Sequence, residues 1–240
     1  MSRVLGIIAE YNPFHNGHLY HIAKSKKETG AEHVIAVISG NFVQRGNTSI
    51  INKWKKARMA LLNGVDLVIE LPTVYSISSA ENFAEGAIKT FNSLGIVDTI
   101  SFGMETNDIS TLNNIANVLF NEPKEYITIL SHELKKGNSF PKARENALMM
   151  YLNDIRRFTN VISSPNNILG IEYLKALMKY KSNIQPVAIH RSSVGYNDLE
   201  YTDNMASSTA IRNIIKNNGF DVLRNVIPEP TYSILIKNIK

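Results

Sequence analysis

The chain has 240 residues and no cysteine. That excludes disulfides, thiolate catalysis and zinc or iron–sulfur sites built on thiolates, and it agrees with a reducing compartment. No apolar run approaches the roughly 20 residues needed to span a bilayer. The first apolar stretch is short and enters a polar turn without a small-residue cleavage site, so no signal peptide is expected. The expectation is a soluble, cytoplasmic protein without a membrane partner. The G-x-x-x-x-G-K-[ST] run of a P-loop is missing, as is a G-x-G-x-x-G after the first strand, which argues against a P-loop phosphotransferase and a classical dinucleotide site. No nucleophile elbow and no Ser–His–Asp set stands out. There is no internal repeat and no low-complexity segment.

Hydrophobic residues make up 44% of the chain and charged residues 20%, enough for an ordinary core. The length suits one large α/β domain, or one domain with a small appendage. The formal net charge of +5 is compatible with phosphate or nucleic-acid ligands without requiring them.

Five short apolar runs read as strands: Val4–Ala9, His33–Ser39, Val65–Leu71, Thr99–Phe102 and Ile184–His190. Runs apolar on both faces belong in a parallel sheet covered on both sides. Helical spacing follows from Leu19 to about Glu28, where Leu19, Ile22 and Ala23 share a face. Further helices read from Asn52 to Asn63 (Trp54, Ala57, Met59, Leu61, Leu62), Ser79 to Leu94, and Asn166 to Tyr180. Residues from Asp108 to about Arg157 are helical throughout, with Pro123 and Pro141 as helix starts and Gly137-Asn138 as a break. Val194–Asn204 reads as a polar loop, and Pro228 and Pro230 interrupt the chain before a short terminal helix. Strand–helix alternation predicts a doubly wound parallel sheet with a helical insertion, and ligands of such sheets bind beyond the carboxyl ends of the strands.

Those ends carry the chemistry. After the first strand comes Tyr11-Asn-Pro-Phe-His-Asn-Gly-His18, a turn leading into a helix. The first N–H groups of a helix lack intrahelical partners and sit at the positive end of its dipole, which suits an anion. His15 and His18, three apart, place two imidazoles on one side of that start, able to donate to phosphate and gain charge as a pyrophosphate leaves. Gly17 lets backbone approach a ligand. No third histidine or carboxylate is close enough in sequence to suggest a protein-held metal. A second helix start, Ser207-Ser-Thr-Ala-Ile-Arg212, offers Ser208, Thr209 and Arg212 to phosphate. Arg45, in the loop Gly40–Gly46, and Lys53 are further substrate or phosphate candidates. Chemistry without an enzyme nucleophile fits best: in nucleotidyl transfer a substrate oxygen attacks the α-phosphate, and the protein supplies positioning and charge.

The strand followed by Asn12-Pro-Phe-His-Asn-Gly-His18, with the later Ser207-Ser-Thr-Ala-Ile-Arg212, resembles the HxGH nucleotidylyltransferase superfamily. Three longer segments are similar to the bacterial tRNA(Met) cytidine acetate ligases: Glu10–His21, Ser39–Gly46 and Ser164–Tyr173. The resemblance implies a Rossmann-like fold of the HxGH type in residues 1–226, with its helical insertion at about 108–160. It implies that ATP activates acetate as acetyl-adenylate, and that the acetyl group passes to N4 of the wobble cytidine of elongator tRNA(Met). The products are then N4-acetylcytidine, AMP and pyrophosphate. Mg²⁺ is expected with the triphosphate. Carried over by position, the nucleotide site comprises Ala9, Glu10, Tyr11, Asn12, Pro13, Phe14, His15, Asn16, Gly17, His18, Leu19, Tyr20 and His21, with Gly103, Asn167 and Arg191. His15, His18, Thr209 and Arg212 are the catalytic set. Members of that family are longer, so residues 227–240 are expected to open a C-terminal helical region, the chain being either truncated within it or a short relative. Two other readings stay open: an adenylyltransferase that makes a nucleotide cofactor, and a non-catalytic nucleotide- or RNA-binding module.

Overall fold

A computed structural model describes residues 2–44, 46–106, 108–153, 161–190, 205–217 and 219–239. Five parallel strands form one sheet: β1 (Val4–Ala9), β2 (His33–Ser39), β3 (Leu67–Leu71), β4 (Thr99–Met104) and β5 (Gln185–His190). Their order is β3-β2-β1-β4-β5, so the connections wind outward in both directions from β1. The register pairs Val4 with His33 and Ala9 with Ile38 on one side of β1, and Leu5 with Thr99 on the other. The point where the winding reverses lies between β1 and β4, where a crevice opens beyond the strand ends.

Alternation along the strands divides the core. Leu5, Ile7, Val34, Ala36 and Ile38 face one cluster, while Ile35, Val37, Ile100 and Phe102 face the other. Both faces are covered, which is why the strands read as unbroken apolar runs. The first cluster is closed by α1 (Asn16–Thr29), α2 (Lys53–Leu62), α9 (Ser208–Lys216), α10 (Phe220–Val226) and α11 (Glu229–Ile239). The second is closed by α4 (Ala80–Leu94), α5 (Ile109–Asn121), α6 (Lys124–Lys135), α7 (Phe140–Leu152) and α8 (Pro165–Lys179). A short α3 (Thr73–Ser76) follows β3.

The insertion is thus part of the core, through Leu112, Ile115, Tyr126, Ala147 and Leu148. Residues on both sides of position 227 share one cluster. Ile227, Ile234 and Leu235 are buried in the cluster that holds Leu5 and Ile7, and Asn63 Nδ2 donates to Thr231 Oγ1 at 3.3 Å. Among the described residues no helix is long and apolar enough to cross a membrane.

Two helices turn only part of their apolar pattern inward. In α1 the inward residues are Ile22, Ser25 and Thr29, while Leu19 and Ala23 are exposed. In α2 the inward residues are Lys56, Met59 and Ala60, while Trp54, Leu61 and Leu62 face outward. Lys56 is completely buried, and the reason is local. Its Nζ donates to Ser39 O at 2.7 Å, Gly40 O at 3.0 Å and Ser49 Oγ at 3.0 Å, which fixes the turn leaving β2. Burial lowers its pKa to about 8, against the pull of Glu10 and Glu70.

Replacing Lys56 by Met leaves Ser39 O buried without this donor and removes one of the two donors to Gly40 O, at a cost of about 2 kcal/mol. The pH dependence has a definite sign. Below pH 8 folded and unfolded chains both carry the proton, and the cost of burying the ammonium is fully present. Between about 8 and 10.5 the unfolded chain binds more protons than the folded one, so stability rises with pH. Chemical denaturation of the two proteins across that range should show the rise in wild type and its loss in Lys56→Met.

Candidate functional site

A cavity of about 190 Å³ opens beyond the ends of β1, β4 and β5. One wall comes from the starts of α1 and α9, with His15, His18, His21, Ser207, Ser208, Thr209 and Arg212. The opposite wall comes from α4, β4 and α8, with Phe83, Phe102, Leu169 and Tyr173. One side is therefore rich in donors and the other largely apolar.

The turn after β1 is held tightly. Tyr11 takes a left-handed backbone (φ 47°) and is buried. Such a conformation costs a non-glycine residue about 1–3 kcal/mol unless its surroundings impose it. Here its ring packs against Phe14 and His18, each with centroids 4.8 Å away. Its buried hydroxyl has no hydrogen-bond partner among the described residues, and burial pushes its pKa well above the usual phenol value. The next peptide bond, Asn12–Pro13, is cis. Asn12 Oδ1 accepts from Ile50 N at 2.8 Å, and Arg212 Nη1 donates to Asn12 O at 2.8 Å. Arg212 Nη2 also donates to Thr209 Oγ1 at 3.0 Å, so one guanidinium joins the two helix starts.

The histidines are arranged differently from the expectation. Helix α1 begins at Asn16, three residues earlier than its apolar spacing suggests, and His15 is its N-cap rather than part of it. Nδ1 of His15 accepts from Gly17 N at 3.1 Å, and Nδ1 of His18 accepts from His15 N at 3.2 Å. The imidazoles replace the Ser/Thr and Glu/Gln pair of an ordinary capping box. They stack with centroids 3.7 Å apart. A ring nitrogen that accepts from a backbone N–H carries no proton, so both rings hold theirs on Nε2. A proton on either Nδ1 would face an N–H and undo the cap, so the geometry offers two neutral Nε2–H donors. Gly17 serves this pair: a Cβ there would lie 2.9 Å from the His15 ring.

The remaining expected residues divide by position. Ala9, Glu10, Tyr11, Gly17, Tyr20, His21 and Gly103 line the cavity with the catalytic set. β4 continues to Met104, so Gly103 lies inside the strand rather than after it. His21 Nε2 lies 2.9 Å from Ser101 Oγ, which lies 2.7 Å from Ser25 Oγ, joining α1 to β4. Asn12, Pro13 and Phe14 are buried in the turn. Asn16 Nδ2 donates to Asn225 O at 2.9 Å, and Leu19 is exposed. Asn167 is buried behind the wall, where its Oδ1 accepts from Glu105 N at 2.9 Å; its neighbour Asn166 lines the cavity and donates to Glu105 Oε1 at 2.6 Å. Lys53 is not part of the wall and pairs with Glu70 at 2.6 Å. Arg45, Arg191 and the loop Val194–Asn204 lie outside the described residues.

Sequence reasoning missed Gln44, Phe83 and the apolar wall. The signal for one part was present: Asn166, Leu169 and Tyr173 recur at helical spacing, and their face meets the cavity. Gln44 N donates to Glu10 Oε1 at 3.0 Å, a contact between two loops that no local pattern announces.

A family model described as HIGH Nucleotidyl Transferase matches residues 2–240. The chain belongs to the HIGH nucleotidyl transferase family. It is 50% identical over 236 residues to a tRNA(Met) cytidine acetate ligase of Caldanaerobacter subterraneus subsp. tengcongensis, covering 98% of this chain and 59% of the relative. It is 48% identical to the protein of that name from Acetivibrio thermocellus, covering 98% and 58%. Two crystal structures of Thermotoga maritima TmcAL are 40% identical to it. The apo form gives a TM-score of 0.95 over 99% of this chain and 57% of that one. The form bound with alpha-thio ATP gives 0.91 over 99% and 56%. This HIGH nucleotidyl transferase chain therefore spans less than two thirds of the length of these relatives.

Proposed function

We propose that the chain carries the ATP-binding, acetate-activating part of an ATP-dependent ligase that acetylates N4 of the wobble cytidine of elongator tRNA(Met). The observation that carries this reading is the donor wall: two helix starts, a stacked imidazole pair and a guanidinium converge on one cavity. The likeness to tRNA(Met) cytidine acetate ligases, and to a TmcAL bound with alpha-thio ATP, supports the identity of the substrates.

In this reading the cavity-lining Ala9, Glu10, Tyr11, His15, Gly17, His18, Tyr20, His21 and Gly103 meet ATP, with Arg191, while Asn12, Pro13, Phe14, Asn16 and Leu19 shape the turn and helix start and Asn167 positions Glu105 from behind the wall. His15 and His18 donate through Nε2–H to the departing pyrophosphate. Ser208, Thr209 and the α9 N-terminus face the same charge from the other side. Arg212 keeps the two sides in register, and Arg45 is a further candidate to contact substrate or phosphate. An acetate oxygen attacks the α-phosphorus and the bond to pyrophosphate breaks. The cytidine N4 then attacks the acetyl carbon, and AMP leaves with the oxygen that came from acetate. No protein nucleophile takes part; the chain positions and neutralises. Among the described residues no cluster of three His, Asp or Glu side chains could hold a metal. Mg²⁺ fits as the companion of the triphosphate, held through phosphate oxygens and water. An enzyme of this kind works in the cytoplasm, where tRNA is.

Pyrophosphate release measured with ATP, with and without acetate, tests the reading. Release that depends on acetate is the expected result. Release that instead requires a phosphorylated small molecule would point to a cofactor-making adenylyltransferase and overturn it.

A further inference from the structure

We propose that the exposed aromatic and basic start of α2 is a stacking platform for single-stranded RNA, with Trp54 receiving a nucleobase that flanks the reacting cytidine. This rests on the tRNA reading above, and adds where the RNA lies.

Trp54 is 74% exposed, more than any other large apolar side chain described, and its neighbours are not those of a core residue. Lys53 Nζ lies 5.4 Å from the Trp54 ring centroid, Lys55 follows directly, and Arg58 stands exposed one turn on. α2 contains no acidic residue. Lys53 is paired with Glu70 at 2.6 Å, so the outer face combines an open π-surface with Lys55 and Arg58, at a helix rise of about 6 Å between Trp54 and Arg58. Aromatic platforms flanked by Lys and Arg are the chemistry that holds unpaired nucleotides, because every base has a face to stack and every linkage a charge.

The platform is tied to the cavity through one loop. Gln44, which lines the cavity, bonds Glu10, and Ile50 bonds Asn12. The same loop presents Phe42, 42% exposed and bridged to Thr48. Lys53 N donates to Asn41 Oδ1 at 2.8 Å, which ties the start of α2 to the loop that carries Phe42. A cytidine drawn out of an anticodon loop leaves its neighbours unstacked, and Trp54 offers one of them an aromatic face.

Trp54 is the chain's single tryptophan, so intrinsic emission reports from this position alone. An anticodon stem-loop RNA of elongator tRNA(Met) should be titrated at low salt, with binding followed by anisotropy of labelled RNA. The expected result is saturable quenching of Trp54 with the same midpoint as the anisotropy. Trp54→Ala should weaken RNA binding about 10-fold, and Trp54→Phe should recover most of it. Acetate-dependent pyrophosphate release without RNA should be unchanged in both variants. The proposal is overturned if RNA binds while Trp54 emission stays constant, if Trp54→Ala binds as tightly as wild type, or if adenylation proceeds but the RNA does not bind. Loss of acetate dependence with Trp54 quenching intact would instead sink the function proposed above and leave the RNA platform standing.

Discussion

His18→Ala should lower kcat for acetate-dependent pyrophosphate release about 100-fold or more, the effect of removing a preorganised donor from developing negative charge. Two jobs meet in this side chain and are separable. Through Nδ1 it accepts from His15 N and completes the cap of α1. Through Nε2–H it is placed to meet phosphate in the proposed function. Loss of the cap alone costs about 1 kcal/mol of stability. A glutamine at the third helical position of a capping box restores such a cap. His18→Gln should therefore recover the stability lost in His18→Ala and only a small part of kcat. Recovery of kcat in step with stability would show that the residue matters only as a cap.

Arg212→Ala is expected to reduce kcat/KM for ATP about 100-fold, because sub-ångström placement of the two segments that make the donor wall depends on one side chain. Its guanidinium reaches Asn12 O and Thr209 Oγ1 together, joining segments 200 residues apart. The two bonds also contribute to folding, and their loss should cost about 2 kcal/mol. Arg212→Lys is the informative partner. An ammonium carries the charge but lacks the planar fork, so it cannot hold both acceptors at once. Recovery by Lys of less than a tenth of wild-type kcat/KM is expected in steady-state assays. Full recovery by Lys would show that charge alone suffices and that the bridge is incidental.

The frame of this molecule is legible in its sequence because its physics is local. β1 and β2 are apolar on both faces, and helices cover both faces. Asn52, Ser79 and Ser207 cap helices where such residues are expected to. The donor wall is legible for the same reason, since a strand, a turn and a helix start lie within twenty residues. What escapes notice is set by distant segments. Lys56 turns inward because the turn after β2 needs a donor, and that rotates Trp54, Leu61 and Leu62 outward against their apolarity. Ser25 faces inward because Ser101 of β4 receives it. The apolar wall combines α4 and β4 with α8, which lies beyond the whole helical insertion in the chain, and becomes a wall only once the sheet forms. The histidine pair was visible as a motif, yet its chemistry was not. The backbone N–H groups facing Nδ1 of each ring assign its proton to Nε2, which the sequence does not announce.

The central claim is that this cavity directs an acetate oxygen onto the α-phosphorus of ATP. The most direct measurement supplies the protein with ATP, acetate enriched in heavy oxygen at both carboxylate positions, and hydroxylamine to accept the acetyl group in place of RNA. The mass of the released AMP is then read. The account predicts AMP carrying one heavy oxygen from acetate, formed together with pyrophosphate and acetohydroxamate. Unlabelled AMP, or ADP with labelled phosphate, would contradict it.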